Sequence, residues 1–234
     1  MIDLLSSSKN FKHMHKELII FGTGDIAELA YYYFTHDSPY TVVAFTVNKD
    51  FISQPLFCSL PVVAFEEINE SYNSKNVEIF IALSYSDLNS IRKDKYFEAK
   101  EKGFKLASYI SSHATVLNEN QVGENCFILE NNTIQPYVTI GDNVTLWSGN
   151  HIGHHSIICD HVFVASHVVI SGGVTIGDQC FLGVNCTIRD HLHIDEQSIV
   201  GAGALVMENL PKNSIVRGNR SKPSLKRTLP KTKI

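Results

Sequence analysis

The amino-acid sequence predicts two architectures in one chain: an α/β N-terminal domain with a small, Rossmann-like parallel sheet, then an all-β parallel β-helix. Three observations carry this. From Ile110 to Val206, seventeen positions spaced by six are all Ile, Val or Leu. The fourth residue after each of these anchors is mostly small, as in Ala114, Cys126, Ser156, Cys180, Cys186, Ser198 and Ala204. Between Lys16 and Tyr109, strand-like apolar runs instead alternate with segments of helical spacing. A strict period of six matches neither the helical period of about 3.6 nor the strand period of about 2. Short strands joined by corners reproduce it, and each coil buries its apolar face only by stacking on the next.

Along the chain, residues 1–15 are polar, carry His13 and His15 and lack the apolar core of a signal peptide, so they are expected to form a disordered leader. Residues 16–109 form the α/β domain. Glu17–Phe21 is a short buried strand, Gly22-Thr-Gly-Asp25 a turn, and Ile26–Phe34 a helix. Tyr40–Phe45 is a second strand, with Pro55 and Pro61 marking the loop beyond it. Val77–Leu83 is a third strand, and Ser86–Lys102 a charged amphipathic helix ending at Gly103. Residues 110–211 are the β-helix. Gly123, Gly141, Gly153, Gly177 and Gly201 each follow an anchor directly, where a tight corner is expected to use glycine's freedom in φ. Residues 212–234 are a basic tail with eight Lys or Arg and no acid.

Composition narrows the function. The chain has 234 residues, 44% hydrophobic and 19% charged, which is ordinary globular usage and enough chain to bury a core. A net charge of −4 argues against nucleic acid as a partner. There is no apolar run of about 18 residues, so no membrane span is expected. Five cysteines without a CxxC pair suit reduced thiols in a cytoplasmic protein.

The hexad array, the strand–GxG–helix opening and the segment Ile152-Gly-His-His-Ser-Ile-Ile158 together carry a resemblance. So do Ile79-Phe-Ile-Ala-Leu-Ser84 followed by Arg92, Gly103-Phe104, Ser111-Ser-His-Ala-Thr-Val116, and the ending Val216-Arg-Gly-Asn-Arg-Ser-Lys222. Over roughly Lys16 to Lys222 the chain resembles the hexapeptide-repeat acyltransferases of the bacillosamine N-acetyltransferase and sialic acid O-acetyltransferase type. In the ending, Arg220 and Ser221 replace the family's Pro-Ala. The resemblance implies a left-handed helix and a homotrimer with active sites between subunits. It implies acetyl-CoA as co-substrate, no metal, and a nucleotide-linked sugar held by the N-terminal domain. The implied activity is acetyl transfer to an amino group of that sugar, for surface polysaccharide or glycan synthesis. Transfer to a sugar hydroxyl is the alternative.

Acyl transfer from a thioester needs a base for the nucleophile's proton and donors for the oxyanion. Seven histidines (151, 154, 155, 161, 167, 191 and 193) follow His113 in the repeats. The family motif selects His154 as the base. The residue after it is commonly acidic in the family but is His155 here, which leaves the orienting group unassigned. One coil is three hexads, so His154 lies one level below Gly172, whose backbone N–H is the candidate oxyanion donor. Gly172, Val184 and Ala202 match the family's cofactor contacts. So does Phe163, where some relatives carry a histidine. Lys212, Arg217 or Lys222 would meet the CoA phosphates. For the sugar nucleotide, Gly22, Thr23, Gly24 and Asp25 form a phosphate-binding turn. Asn48 stands where relatives often carry Asp, and Ser84 with Tyr85 borders the same pocket. Two other classes compete. One is a γ-type carbonic anhydrase using three histidines for zinc. The other is a non-catalytic β-helix scaffold, encouraged by His155, Val47 and Phe163.

Overall fold

The computed structural model describes residues 16–117 and 122–219. The expected leader, Lys222 and most of the basic tail lie outside the described residues. In the N-terminal sheet, β1 (Lys16–Phe21) is central and pairs in parallel with β2 (Tyr40–Val47) and with β5 (Val77–Ile81). β3 (Leu56–Phe57) and β4 (Leu60–Ala64) form one edge and β6 (Lys105–Leu106) the other, in the order β3-β4-β2-β1-β5-β6. Helix α1 (Asp25–His36) buries Ala27, Ala30 and Phe34. A single turn, α2 (Ile68–Ser71), precedes β5, and α3 (Ser90–Glu101) follows it. The strands are apolar on both faces, as a sheet covered on both sides requires.

Two local expectations shift. The stretch with Pro55 and Pro61 is a hairpin rather than a loop. Its turn residues Cys58 and Ser59 both adopt positive φ (46° and 65°), without the Asn-Gly pair that signals such a turn. Pro61 is tolerated because it precedes the residues of β4 that pair with β2, Val62 to Ala64. Helix α3 starts four residues later than expected, since Asp87, Leu88 and Asn89 are all left-handed.

The repeats form a left-handed parallel β-helix of two-residue strands. Strands pair with those 18 residues away, as in Thr133↔His151 and His151↔Val169. Three faces result. The first includes His151–Ile152 and Val169–Ile170, the second Ile157–Ile158 and Thr175–Ile176, and the third Phe163–Val164 and Phe181–Leu182. Each face is followed by a corner, numbered here after it. Anchors from Ile128 to Val206 are buried, while Ile110, on the last strand of its sheet, is 40% exposed. A further strand, Ile215–Val216, pairs with Ile199–Val200 beyond residue 211. Each fully buried aliphatic anchor contributes about 1.5–3 kcal/mol relative to exposure. Some inward fourth positions are polar: Asn150 Oδ1 accepts the Val168 N–H at 2.7 Å, whereas the buried Asn132 Oδ1 has no partner among the described residues.

The glycines after the anchors have a different cause from the one expected. None of the five has positive φ. A Cβ at Gly153 would stand 2.5 Å from the Gly172 nitrogen, and one at Gly177 2.6 Å from the Glu196 nitrogen. Close stacking of successive coils excludes a side chain there. The left-handed residue is instead the third after the anchor, including His155, His161, His167 and His191 (φ 56–61°).

The third face packs against the sheet through Tyr109, Phe127 and Trp147. Cys126, Cys180 and Cys186 point into the β-helix core, where burial pushes each thiol up to about 12. All five cysteines are free. No helix of the described residues is long and apolar enough to cross a membrane.

Candidate active site

His154 lies at the first corner, two residues after its anchor, and is exposed. Its backbone N–H donates to Gln135 Oε1 at 2.9 Å, and its carbonyl accepts the Gly173 N–H at 2.8 Å. The imidazole lies against Gly172: a methyl group there would be 2.6 Å from Cε1 and 2.8 Å from Nε2. The expected stacking of His154 beneath Gly172 is therefore observed. The Gly172 N–H donates no hydrogen bond among the described residues. Buried Ser156 fixes this corner, donating to Ser171 O at 3.0 Å and accepting from Val174 N at 3.2 Å. His155, the residue at the usual acidic position, brings its Nδ1 to 3.1 Å from His154 Nδ1.

The other histidines separate by position. His155, His161, His167 and His191 occupy the left-handed corner site, and His151 and His193 lie on strands. The signal was present in the sequence: that corner site holds Asn, Gly or Gln in most other coils, residues that tolerate or resemble those that tolerate φ near 60°. Among the described residues no three His, Cys, Asp or Glu of one chain converge as for a metal ion.

At the carboxyl end of β1, Gly22 has φ 125°, and a Cβ there would lie 2.9 Å from Ala82 O. Gly24 caps α1, and a Cβ on it would meet nothing within 4 Å, so the helix N-terminus is open. Asp25 lies exposed in the first helical turn. Gly22, Thr23 and Asn48 line one cavity of about 280 Å³ with Phe51, Ile91 and Lys95. The Asn48 amide donates to Glu66 Oε1 at 2.7 Å, and the Lys49 N–H to Glu66 Oε2 at 2.9 Å. These bonds hold the Glu66 carboxyl below the usual carboxylate range. The acid that holds Asn48 is thus Glu66, from the turn that follows β4. Lys95 and Glu66 were not foreseen, because neither sits in a motif.

Ser84 lines a second pocket of about 340 Å³, between the α/β domain and the third corner, with Phe163, Val184 and Ala202. Tyr85, Trp147, Phe181 and Ser166 complete its wall. Phe163 stacks on Phe181 at 5.7 Å and 16°, and the Tyr85 ring meets both. Behind Phe163 lies the fully buried Arg92, 5.8 Å from the ring. Its guanidinium donates to Val162 O (3.4 Å), Asn89 Oδ1 (3.5 Å) and the Thr145 hydroxyl; Nε has no partner, and burial pushes the group down to about 10. Val184 is exposed at 44%, whereas Phe163 shows only 3% of its surface. Lys212 pairs with Glu196, and Arg217 is exposed.

The structure unites the predicted residues in three groups: His154 with Gly172, Gly22 and Thr23 with Asn48, and Ser84 with Phe163, Val184 and Ala202. Within one chain, the first group lies at the first corner and the last at the third corner.

Residues 121–153 and 137–172 match the family described as bacterial transferase hexapeptide (six repeats), and residues 173–207 match the hexapeptide repeat of succinyl-transferase. Residues 121–207 are thus hexapeptide repeats. No curated protein sequence matches it. Among solved structures, the hexapeptide-repeat chain is similar to the acetyltransferase domain of PglB from Neisseria gonorrhoeae FA1090 in complex with acetyl coenzyme A (TM-score 0.78, 21% identity, 90% of this chain and 100% of that one). It is similar to PerB from Caulobacter crescentus in complex with CoA and GDP-perosamine (TM-score 0.76, 24% identity, 86% and 94%). A third is WeeI from Acinetobacter baumannii AYE (TM-score 0.73, 20% identity, 88% and 99%). The likeness spans both the sheet and the β-helix.

Proposed function

We propose that this hexapeptide-repeat protein is an acetyl-CoA-dependent N-acetyltransferase acting on an amino group of a nucleotide-linked sugar, with His154 as general base. The observation that carries the reading is the first corner, where an exposed imidazole lies directly against a glycine whose N–H is unengaged. The likeness to structures holding acetyl coenzyme A, or CoA with GDP-perosamine, supports the choice of donor and acceptor.

In this reading the acceptor nitrogen, unprotonated, attacks the thioester carbonyl while His154 Nε2 takes one of its protons. The Gly172 N–H stabilises the resulting oxyanion. Collapse breaks the C–S bond, and the CoA thiolate recovers the proton from His154. Histidine suits this two-way transfer because its ordinary range brackets neutral pH. The cavity lined by Gly22, Thr23 and Asn48 takes the nucleotide end, with Gly24 and Asp25 beside it at the start of α1 and Lys95 as a cation for phosphate. The apolar pocket at Ser84, Phe163, Val184 and Ala202 takes the sugar and the pantetheine arm, with Lys212, Arg217 or Lys222 toward the CoA phosphates. His154 and that pocket sit at different corners of one chain, so the site needs a second copy, and a homotrimer with its β-helices side by side would supply it. The protein would work in the cytoplasm, in surface glycan synthesis.

The test is thiol release from acetyl-CoA with a panel of UDP-, dTDP- and GDP-linked aminosugars, scored by mass of the product. Acetylation of one aminosugar at nitrogen is the expected result. Thiol release only with sugars lacking an amine, or stoichiometric zinc with no transfer to any acceptor, would overturn the reading.

A further inference from the structure

His154 has two ring nitrogens, and the corner gives each a different neighbour. Nδ1 faces His155 Nδ1 at 3.1 Å, with the two rings nearly perpendicular (86°) and 5.2 Å apart. The Cε1–Nε2 edge lies against Gly172: a methyl group there would be 2.6 Å from Cε1 and 2.8 Å from Nε2, against 3.1 Å from Nδ1. A hydrogen bond between two imidazole nitrogens requires that one carry the proton and the other present a lone pair. The second ring is fixed in its turn. The His155 ring lies 4.7 Å from the Tyr137 ring at 35°, and the backbone N–H of His155 donates to Pro136 O at 3.3 Å. Its φ of 59° belongs to the left-handed region, where Asn, Asp and His are the favoured residues with a side chain. The backbone therefore admits His155 or an acid at the same place, and both present an acceptor to His154.

We propose that His155 is the positioning residue of the base: its Nδ1 accepts the proton carried by His154 Nδ1, which leaves the basic lone pair of His154 on Nε2, beside Gly172. The 3.1 Å contact stands by itself, whereas the choice of His154 as its donor rests on the function proposed above, which needs the lone pair on Nε2. During turnover the Nδ1 proton stays in place. The proton from the acceptor nitrogen arrives at Nε2 and leaves with the CoA thiolate. A neutral partner differs from a carboxylate in one respect: it orients the ring without adding negative charge, so it stabilises the imidazolium less. It also limits the pair. A second proton would set two N–H groups facing each other at 3.1 Å, so the pair takes one positive charge in this arrangement. The surrounding coils leave this balance to the two histidines. The coil above offers uncharged Ser171, Gly172 and Gly173, and the coil below the Gln135 amide and Tyr137. Asp190 and His191, exposed one coil further up, are the next titratable groups, with the His191 ring against Gly173.

The experiment is nitrogen NMR of the full chain labelled with ¹⁵N-histidine, at alkaline pH and without substrate, assigned with His154→Gln and His155→Asn. The expected result is a His154 protonated on Nδ1 and bare on Nε2, with the reverse for His155. A His154 protonated on Nε2, or averaging between tautomers as for a free imidazole, overturns the proposal. Kinetics add a second arm. His155→Gly keeps the backbone and removes the acceptor, and kcat should fall about 10–100-fold with the KM for acetyl-CoA held within about twofold. His155→Asn, whose Oδ1 accepts, should recover most of that loss. His155→Asp should move the acid limb of kcat/KM upward by about one pH unit, because the carboxylate favours the protonated base. A His155→Gly enzyme with wild-type kcat also overturns the proposal. If the tautomers are as expected but His154→Ala stays active, it is the assignment of the base that has failed.

Discussion

The first and second corners of the β-helix use the same repeat position for opposite purposes. At the second corner, the residue two after the anchor is acidic in successive coils: Glu124, Asp142, Asp160, Asp178 and Glu196. Oδ1 of Asp142, Asp160 and Asp178 each accepts the N–H of the residue one coil below, at 2.9, 2.8 and 3.0 Å. Helix α3 then covers the ladder, with the Tyr96 hydroxyl donating to Glu124 and Asp142 and Lys93 donating to Gln179. At the first corner the same position holds His154, Gly172 and Asp190. Gly172 brings no carboxylate to cap the backbone of the coil below, and its own N–H stays unengaged. The difference teaches that one repeat builds either a self-capped structural edge or an open reactive one, depending on two residues per coil.

The largest effect should come from breaking the open corner. His154→Ala is expected to lower kcat by about 10²–10⁴, the range for a lost general base. Its thermal midpoint should be unchanged, because the side chain is exposed. Steady-state kinetics with the acceptor that the aminosugar panel selects, beside a melting curve, checks both; activity within tenfold of wild type would remove the first corner from the chemistry. Gly172→Ala is a finer cut. The φ of Gly172 is not positive, so alanine is admissible, but its methyl would sit 2.6–2.8 Å from the His154 ring. The imidazole must turn away, and kcat should fall about 10–100-fold with a normal fold by circular dichroism.

How much of this was legible in the sequence follows the same division. The anchors were legible because burial demands an aliphatic residue at every sixth position, and the strands from Ile128 to Val206 follow it without a slip. The reason for Gly153 or Gly177 was not, since close coil stacking and positive φ both ask for glycine. His154 stood out through a resemblance, and its position two after the anchor is what separates it from His161 or His167. Ser84 and Tyr85 were foreseen as pocket residues, but beside Asn48; their meeting with Trp147 and Phe181 was invisible, because these residues come together only when the third face docks on the sheet. Glu66 was hidden for the same reason: it reaches Asn48 across 18 residues of chain.

Smaller effects should come from the structural corner, in stability and not in rate. Asp160→Ala removes the cap on the Asp142 N–H, a loss comparable to a helix N-cap, about 1–2 kcal/mol. Urea unfolding should show that loss while kcat stays within twofold of wild type. A larger fall in kcat would mean that the two corners are mechanically linked.

His161 and His155 sharpen the contrast furthest, since they share residue type, repeat position and backbone, with φ of 61° and 59°. His155 is exposed beside His154. His161 is buried under α3, between the Tyr96 and Phe97 rings, with its Nδ1 2.9 Å from Asn143 Nδ2. Burial pushes its pKa down from 6.5 to about 4. The folded chain therefore keeps this imidazole neutral in a range where the unfolded chain protonates it. Between those two values the unfolded state binds more protons, so stability is full above pH 6.5 and declines as the pH falls toward 4. After allowance for solvent screening, the loss between about pH 7 and pH 5 should be about 1 kcal/mol. Urea unfolding at the two pH values measures it. His161→Asn, suited to the left-handed site, should remove this part of the slope, whereas His155→Asn, at the other corner, leaves His161 and its share of the slope in place. Equal slopes in the two variants would show that α3 does not seal the second corner as the contacts of Tyr96 and Phe97 indicate.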